Sequence, residues 1–178
     1  DVLVRLPEIL WLRTGNLQKL PVILCIDMEI PNNRLLPDTA NINGLGHLEI
    51  GGMDVVDLAK RYKTPIYLYD EMTIRNRMRE FVSSLRETYS KSKVLFAGKA
   101  FLIKRIVKIT EEEGLGLDVV SGGEIYAAKE AGFPMENVYF HGNNKTMEEL
   151  SFAINTGVGS IVVDNLSELK FLSSLVKR

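Results

Sequence analysis

The residues VLFAGKAFLIKRI, 94–106, place one lysine, Lys99, within an apolar run typical of a buried strand. Folded proteins seldom bury an unpaired ammonium group, so the position of Lys99 needs a chemical explanation. From the residues alone, either Lys99 lies at the end of a strand and extends to water, or its amine is desolvated and forms a Schiff base with an aldehyde. Strand alternation puts Ala97 on the same side, where its small methyl group leaves room for a flat ring.

Two further polar segments follow predicted strands. GLDVVSGGE, 116–124, carries Asp118 in a buried strand, followed by two glycines that permit close approach of an anion or a cofactor. FHGNNKT, 140–146, places His141 at the end of the next strand. Each segment alone is also explained as a polar turn that leads into a helix, except for Asp118 within its buried strand. Together with Lys99, they predict that three consecutive strand ends contribute polar groups to one edge.

Strand and helix patterns alternate from residue 66 onward. The predicted strands are 66–69, 93–100, 116–120, 137–141 and 160–164. The predicted helices are 74–89, 102–113, one that starts near Glu124, and one that runs from a capping box at Thr146 and Glu149 to Gly157. The first helix is expected to bury Ile74, Met78, Phe81, Val82, Leu85 and Tyr89 on a sheet.

Apolar strands separated by helices predict an α/β fold with right-handed crossovers and a parallel sheet. The last four strands are evenly spaced, which favours successive units of a (β/α)8 TIM-type barrel. Such a barrel takes roughly 250 residues. The chain therefore forms either a complete open sheet or a partial barrel of four to five βα units, preceded by a short β segment.

The composition excludes several classes of protein. The 178 residues are 46% hydrophobic and 25% charged, with a net charge of −1 and charges of both signs interspersed. This favours a globular protein with a small-molecule partner over one that binds nucleic acid or a membrane. Cys25 is the single cysteine and permits no internal disulfide, and with only two histidines in the chain we expect no metal site and a cytoplasmic protein.

The N-terminal part differs from the rest of the chain. Residues 1–27 contain two short apolar runs that suit neither a signal peptide nor a membrane span. A turn-rich segment that could begin a protein follows Met28. We therefore expect 1–33 to be a non-native or poorly ordered extension, 34–65 to contribute to a β domain, and 66–178 to form the first part of a barrel.

FAGKA, GLDVVSGGE and YFHGNNK, in this order and spacing, resemble barrel strands of the diaminopimelate decarboxylase branch of the fold-type III pyridoxal-phosphate family. That family also contains ornithine and arginine decarboxylases and alanine racemase. The segment INGLGHLEIGGMDVVDLAKRYKTPIYLYDE is similar to the N-terminal stretch of these enzymes, which contributes strands to a separate β domain. The likeness covers roughly residues 34–178 and implies an alanine racemase-like barrel.

The resemblance implies pyridoxal 5′-phosphate as the cofactor and Lys99 as the catalytic lysine that binds it. By the same likeness, Ala97 lies beside the cofactor ring, Asp118 is an acidic residue near the site, and His141 lies at a cofactor-proximal strand end. The whole protein would then be a homodimer that converts meso-diaminopimelate, an amino-acid substrate, to L-lysine.

Other functions stay open at this point. They are a related ornithine or arginine decarboxylase, a non-catalytic binding or regulatory relative, and an unrelated open α/β domain in which Lys99 is a surface lysine. The His-x-Gly-Ser and EPGR segments with which the family supports the cofactor do not occur in these 178 residues. We therefore expect the chain by itself to be an inactive, aggregation-prone part of the enzyme.

Overall fold

The computed structural model describes residues 2–5 and 35–176. The chain divides into two compact units, Asp1–Arg77 and Met78–Arg178, with the division inside a long helix. Except for residues 2–5, the predicted extension 1–33 lies outside the described residues. None of the described helices combines the length and the apolar character needed to cross a bilayer.

The first unit contains short antiparallel strands and one complete helix. Strands β2, β3 and β4 form a three-stranded sheet in that order, and β1 pairs with β5 in a separate antiparallel sheet. The elements are β1 (Val2–Arg5), β2 (Asn41–Ile42), β3 (Leu48–Ile50), β4 (Met53–Asp54), α1 (Val55–Tyr62) and β5 (Tyr67–Asp70).

Asp54 caps helix α1 and organises the loop around it. Its carboxylate accepts hydrogen bonds from the backbone N–H groups of Val56 and Asp57 and from the Asn43 side chain, and it lies 2.8 Å from His47 Nδ1. Desolvation raises the pKa of Asp54, but these hydrogen bonds outweigh it and lower the pKa to about 2. The cap therefore needs the charged carboxylate.

The second unit is an α/β structure with a parallel sheet in the order β6-β7-β8-β9. This confirms the predicted α/β fold with a parallel sheet. The elements are α2 (Glu71–Thr88, across the division), β6 (Leu95–Ala97), α3 (Lys104–Glu112), β7 (Gly116–Val119), α4 (Gly122–Glu130), β8 (Val138–Phe140), α5 (Met147–Thr156), β9 (Ser160–Ile161) and α6 (Leu166–Val176).

Two strand predictions need correction. The predicted strand 66–69 does form, as β5, but it pairs antiparallel with β1 and is no member of the parallel sheet. The predicted strand 93–100 is regular only over Leu95–Ala97, because the chain then turns into a short 3-10 helix, Gly98–Ala100. An apolar run marks a strand but does not show which neighbour it pairs with or where it turns.

The hydrophobic core lies on one face of this sheet, against helices α3, α4 and α5. Leu117, Val119, Val138 and Phe140 point to that face and are fully buried. The strand register places Ala97 beside Asp118, and Asp118 beside Tyr139, on the opposite face. The two faces of the sheet therefore differ, with apolar packing on one and Ala97 and Asp118 on the other.

Helix α2 does not bury its apolar face as predicted. Met78 is buried, but Phe81 is 67% exposed and Tyr89 is 61% exposed. Arg79 on the same helix forms a bidentate ion pair with Glu113 at the end of α3, with N–O distances of 2.6 and 2.7 Å. The helical period of α2 is correct, but three of the six predicted apolar residues, Phe81, Leu85 and Tyr89, are exposed.

Candidate active site

Lys99 lies just past the carboxyl end of β6, in the 3-10 helix Gly98–Ala100. Its side chain is exposed and forms no hydrogen bond or ion pair with the described residues. Of the two alternatives for Lys99, the structure favours a lysine at the strand end that extends to water, because the regular strand ends at Ala97 and the side chain is exposed. The structure leaves a free primary amine at the edge of the sheet, which can react with an aldehyde.

Asp118 lies on β7, the strand next to the one that leads to Lys99. It is the register partner of Ala97 in the parallel pair β6–β7, so the small side chain of Ala97 and the carboxyl group lie side by side. Its Oδ1 atom is buried and has no hydrogen-bond partner within the described ranges. A buried oxygen without a donor is costly, so this atom points to a donor group supplied by a ligand.

Gly98 allows the turn that carries Lys99 to lie close to β7 and α4. A Cβ atom at this position would come within 3.0 Å of both the Asp118 carbonyl oxygen and Glu124 Oε2. Any side chain would therefore displace the turn or the carboxylate. The glycine fixes the distance between the lysine turn and the neighbouring strand.

Glu124 therefore lies against the lysine turn, Gly98–Ala100. The sequence did not predict this contact. Its Oε2 accepts a hydrogen bond of 2.9 Å from Val120 N–H, and its own N–H donates to Ser121 Oγ, the cap of α4. The same spacing of a cap residue and a glutamate recurs at Asn165 and Glu168 before α6. That spacing was the signal that could have identified Glu124 as more than a helix-dipole residue.

Thr146 and Glu149 form the predicted capping box of α5. Glu149 also accepts a hydrogen bond of 2.8 Å from Gly122 N–H at the start of α4. Backbone hydrogen bonds from Gly122 and Thr146 lower the pKa of Glu149 below its ordinary value. One carboxylate therefore joins the first turns of two neighbouring helices at the carboxyl edge of the sheet.

His141 lies at the same edge, one residue past β8. Its backbone N–H donates to the Val119 carbonyl oxygen at 2.8 Å, which continues the parallel ladder. The side chain is 55% exposed, and its Nε2 atom lies 3.8 Å from Asp164 Oδ1. The structure therefore brings all four predicted residues, Ala97, Lys99, Asp118 and His141, to one edge of the sheet.

Lys145, in the loop after β8, has a fully buried side chain. Its Nζ atom donates to the Gly142 carbonyl oxygen and lies 2.8 Å from Glu168 Oε1 and 3.7 Å from Asp164 Oδ2. The contact with Glu168 lacks the alignment of a hydrogen bond, so the pair is held by charge. Sequence reasoning treated this segment as a polar loop and missed its buried ion cluster.

This cluster connects the loop after β8 to the loop after β9. Glu168 is 5% exposed, and its Oε2 atom accepts from Asp164 N–H. Asp164 in turn faces both Lys145 and His141. The loop that carries His141 is therefore held in place by charged groups from the next βα unit.

Comparison with known proteins identifies the class. The family model "Pyridoxal-dependent decarboxylase, pyridoxal binding domain" matches residues 71–178, which include every residue of the carboxyl edge described above. The chain belongs to this family of pyridoxal-dependent decarboxylases, and its cofactor is pyridoxal 5′-phosphate.

Several members of this family are similar to the chain over most of its length. The diaminopimelate decarboxylase of Bacillus methanolicus is 49% identical over 137 residues, covering 77% of this chain and 32% of the relative. The diaminopimelate decarboxylase of Bacillus subtilis (strain 168) is 49% identical over 142 residues, covering 80% of this chain and 32% of the relative. The structure of the M. jannaschii diaminopimelate decarboxylase in complex with L-lysine matches with a TM-score of 0.68 and 33% identity, covering 79% of this chain and 33% of that one. The chain thus spans about a third of the length of these relatives.

The residues at the carboxyl edge fit this cofactor. Lys99 offers an unpaired amine to the aldehyde, and the buried Asp118 oxygen without a partner offers an acceptor to a donor group of the bound molecule. Ala97 beside Asp118 keeps the intervening space free of a large side chain. Among the described residues no cluster of three metal-ligating side chains occurs.

Proposed function

We propose that this chain is the pyridoxal-binding part of an enzyme that decarboxylates meso-diaminopimelate to L-lysine. The observation that carries the proposal is the exposed Lys99 amine one turn past β6, on a strand whose Ala97 adjoins the unpartnered oxygen of Asp118. The substrate follows from relatives that are 49% identical and are named diaminopimelate decarboxylase. A solved relative that binds L-lysine, the product of that reaction, supports the same substrate.

Each site residue has a separate duty in this proposal. Lys99 would hold the cofactor aldehyde through its amine. Asp118 would accept a hydrogen bond through its free oxygen, and Ala97 would leave room for the ring. His141 would lie near the bound group at the neighbouring strand end. When bound, pyridoxal phosphate draws electrons from the substrate carbon that loses carbon dioxide.

We further propose that β6 to β9 are the first four strands of a (β/α)8 barrel of the alanine racemase type. Their parallel order and the placement of the site residues at or just past the carboxyl ends of the strands support this architecture. Within the proposed barrel part, 66–178, the first barrel strand is then β6, since β5 lies outside the parallel sheet, and 34–65 belong to a β domain. The remaining strands, a homodimeric partner and a cytoplasmic location belong to the whole protein.

Borohydride trapping tests the cofactor lysine in the whole protein. Reduction should fix the cofactor on the peptide that contains Lys99, as located by mass spectrometry. Lys99→Ala should abolish both the label and the release of carbon dioxide from meso-diaminopimelate. Lys104→Ala is the matched control, because Lys104 is also exposed and five residues away, and it should keep both. A label on Lys104 or Lys145 would overturn the assignment of Lys99.

Substrate competition tests the reaction separately from the cofactor site. The loaded protein should release carbon dioxide from meso-diaminopimelate and produce L-lysine, with far slower reaction of ornithine and arginine. Preference for ornithine or arginine would replace the proposed substrate but keep Lys99. A protein that carries the cofactor on Lys99 and decarboxylates none of the three would be a binding relative.

A further inference from the structure

A cavity lies at the opposite edge of the parallel sheet. It has a volume of about 220 Å³ and is lined by Val82, Arg86, Ser92, Lys93, Val94 and Gly114. Val94 directly precedes β6, and Gly114 precedes β7 by two residues, so the cavity adjoins the amino ends of these strands. Lys99 and Asp118 lie at or beyond their carboxyl ends. The proposed decarboxylase site therefore has no use for this cavity.

The cavity has two cationic side chains in its lining. Arg86 forms no ion pair or hydrogen bond with any described residue, so all of its guanidinium donors are available. Lys93 is held in place, because its Nζ atom donates to Asn137 Oδ1 at 2.6 Å and lies 5.4 Å from the centre of the Tyr139 ring. An ammonium group has three donors, so Lys93 can still serve a ligand.

Ser92 supplies an independent indication of a ligand. Its Oγ atom is buried and has no hydrogen-bond partner in the described part of the chain. A buried hydroxyl without a partner is rare and points to an ion or water that completes it. Here the hydroxyl belongs to the lining that also contains Arg86 and Lys93, so a negatively charged acceptor suits it better than water alone.

From this cavity we propose that the protein binds a small oxyanion, a phosphate or carboxylate group, between Arg86, Ser92 and Lys93. The planar guanidinium group of Arg86 can donate hydrogen bonds to two oxygens of either group. The Ser92 hydroxyl can donate a further hydrogen bond to the anion. The volume corresponds to about seven water molecules, which admits a small anionic group but no large cofactor. Val82 and Val94 provide apolar contact for a short carbon chain attached to the anion.

Crystals of the whole protein loaded with pyridoxal phosphate, so that the cofactor's own phosphate site is filled, test the location. They are soaked in selenate, a tetrahedral oxyanion that anomalous diffraction locates. We expect selenate within hydrogen-bond distance of Arg86 and Ser92. Selenate bound only at other places, or no selenate, would overturn the proposal.

Calorimetric titration with inorganic phosphate and, separately, with acetate tests the chemistry in solution. Arg86→Gln should weaken binding by about ten-fold or more, and Ser92→Ala by a smaller factor. Arg61→Gln is the matched control, because Arg61 is an exposed arginine outside the cavity, and it should bind like the parent. Binding of phosphate alone identifies a phosphate ligand, and equal binding of acetate identifies a carboxylate. Affinities that Arg86→Gln leaves unchanged would contradict the site.

Discussion

Lys99 and Lys145 follow parallel strands at the same edge of the sheet, but their surroundings are opposite. Lys99 follows β6, is exposed and has no partner among the described residues. Lys145 follows β8, is fully buried, and contacts the Gly142 carbonyl oxygen, Glu168 and Asp164. The lysine in the apolar run is the accessible one, and the lysine in the polar loop is the buried one.

This contrast separates an accessible lysine from a buried one. An amine that reacts with an aldehyde must be reachable, and Lys99 is exposed and has no partner among the described residues. The Lys145 side chain is fully buried against the carboxylates of Glu168 and Asp164, which restricts access to it. Burial by itself does not identify the nucleophile, because the partners of the buried group decide its chemistry.

The largest expected effect on stability concerns Lys145. Lys145→Met should lower the free energy of unfolding of the whole protein by about 3–5 kcal/mol, because it leaves the buried charge of Glu168 without its partner. Lys99→Met should change it by less than about 0.5 kcal/mol, since the side chain is exposed. Urea unfolding followed by circular dichroism measures both.

A double variant sharpens this result. Lys145→Met combined with Glu168→Leu removes both charges and should recover part of the lost stability, since paired apolar replacements often match a buried ion pair. If Lys99→Met proves as destabilising as Lys145→Met, the distinction between the two lysines fails.

The next effect separates Asp118 from Glu124, the two acidic residues around the lysine turn. Asp118→Ala should weaken cofactor retention by about ten-fold with little loss of stability, because its Oδ1 atom has no protein hydrogen bond to lose. Glu124→Ala should cost about 1 kcal/mol of stability, because it removes the hydrogen bond to Val120 N–H. Cofactor absorbance after dialysis and thermal unfolding provide the two measurements. The reverse pattern would exchange the two roles.

The smallest effect is a pH dependence at Glu149, a third charged group at the same edge. Its pKa in the folded protein is lowered below 4.5, so its contribution to stability is fully present above 4.5 and is lost as the pH falls through the folded pKa. Glu149→Gln should therefore be less stable than the parent at neutral pH, and the difference should shrink below pH 4.5. Unfolding at a series of pH values checks this, and a constant difference would exclude the carboxylate charge as the cause.

Local patterns predicted much of the second unit. Apolar runs separated by helical spacing predicted the four parallel strands, and the capping box at Thr146 and Glu149 formed as expected, with α5 closed by Gly157 in a left-handed conformation. These features depend on residues within a few positions of one another. The positions of Ala97, Lys99, Asp118 and His141 at one edge follow from the same reasoning, since parallel strands end together.

Interactions between distant segments were not predictable in this way. Periodicity located β5 but not its antiparallel pairing with β1, and it assigned α2 an apolar face of which half the residues are exposed. Glu168 lies 23 positions after Lys145, and no local pattern connects the two. The sequence by itself determined the four parallel strands, their order and the residues near their carboxyl ends, because short-range sterics and hydrogen bonding set them. Only the tertiary structure decided which lysine is buried and paired, because that depends on which distant carboxylates the packed loops bring within reach.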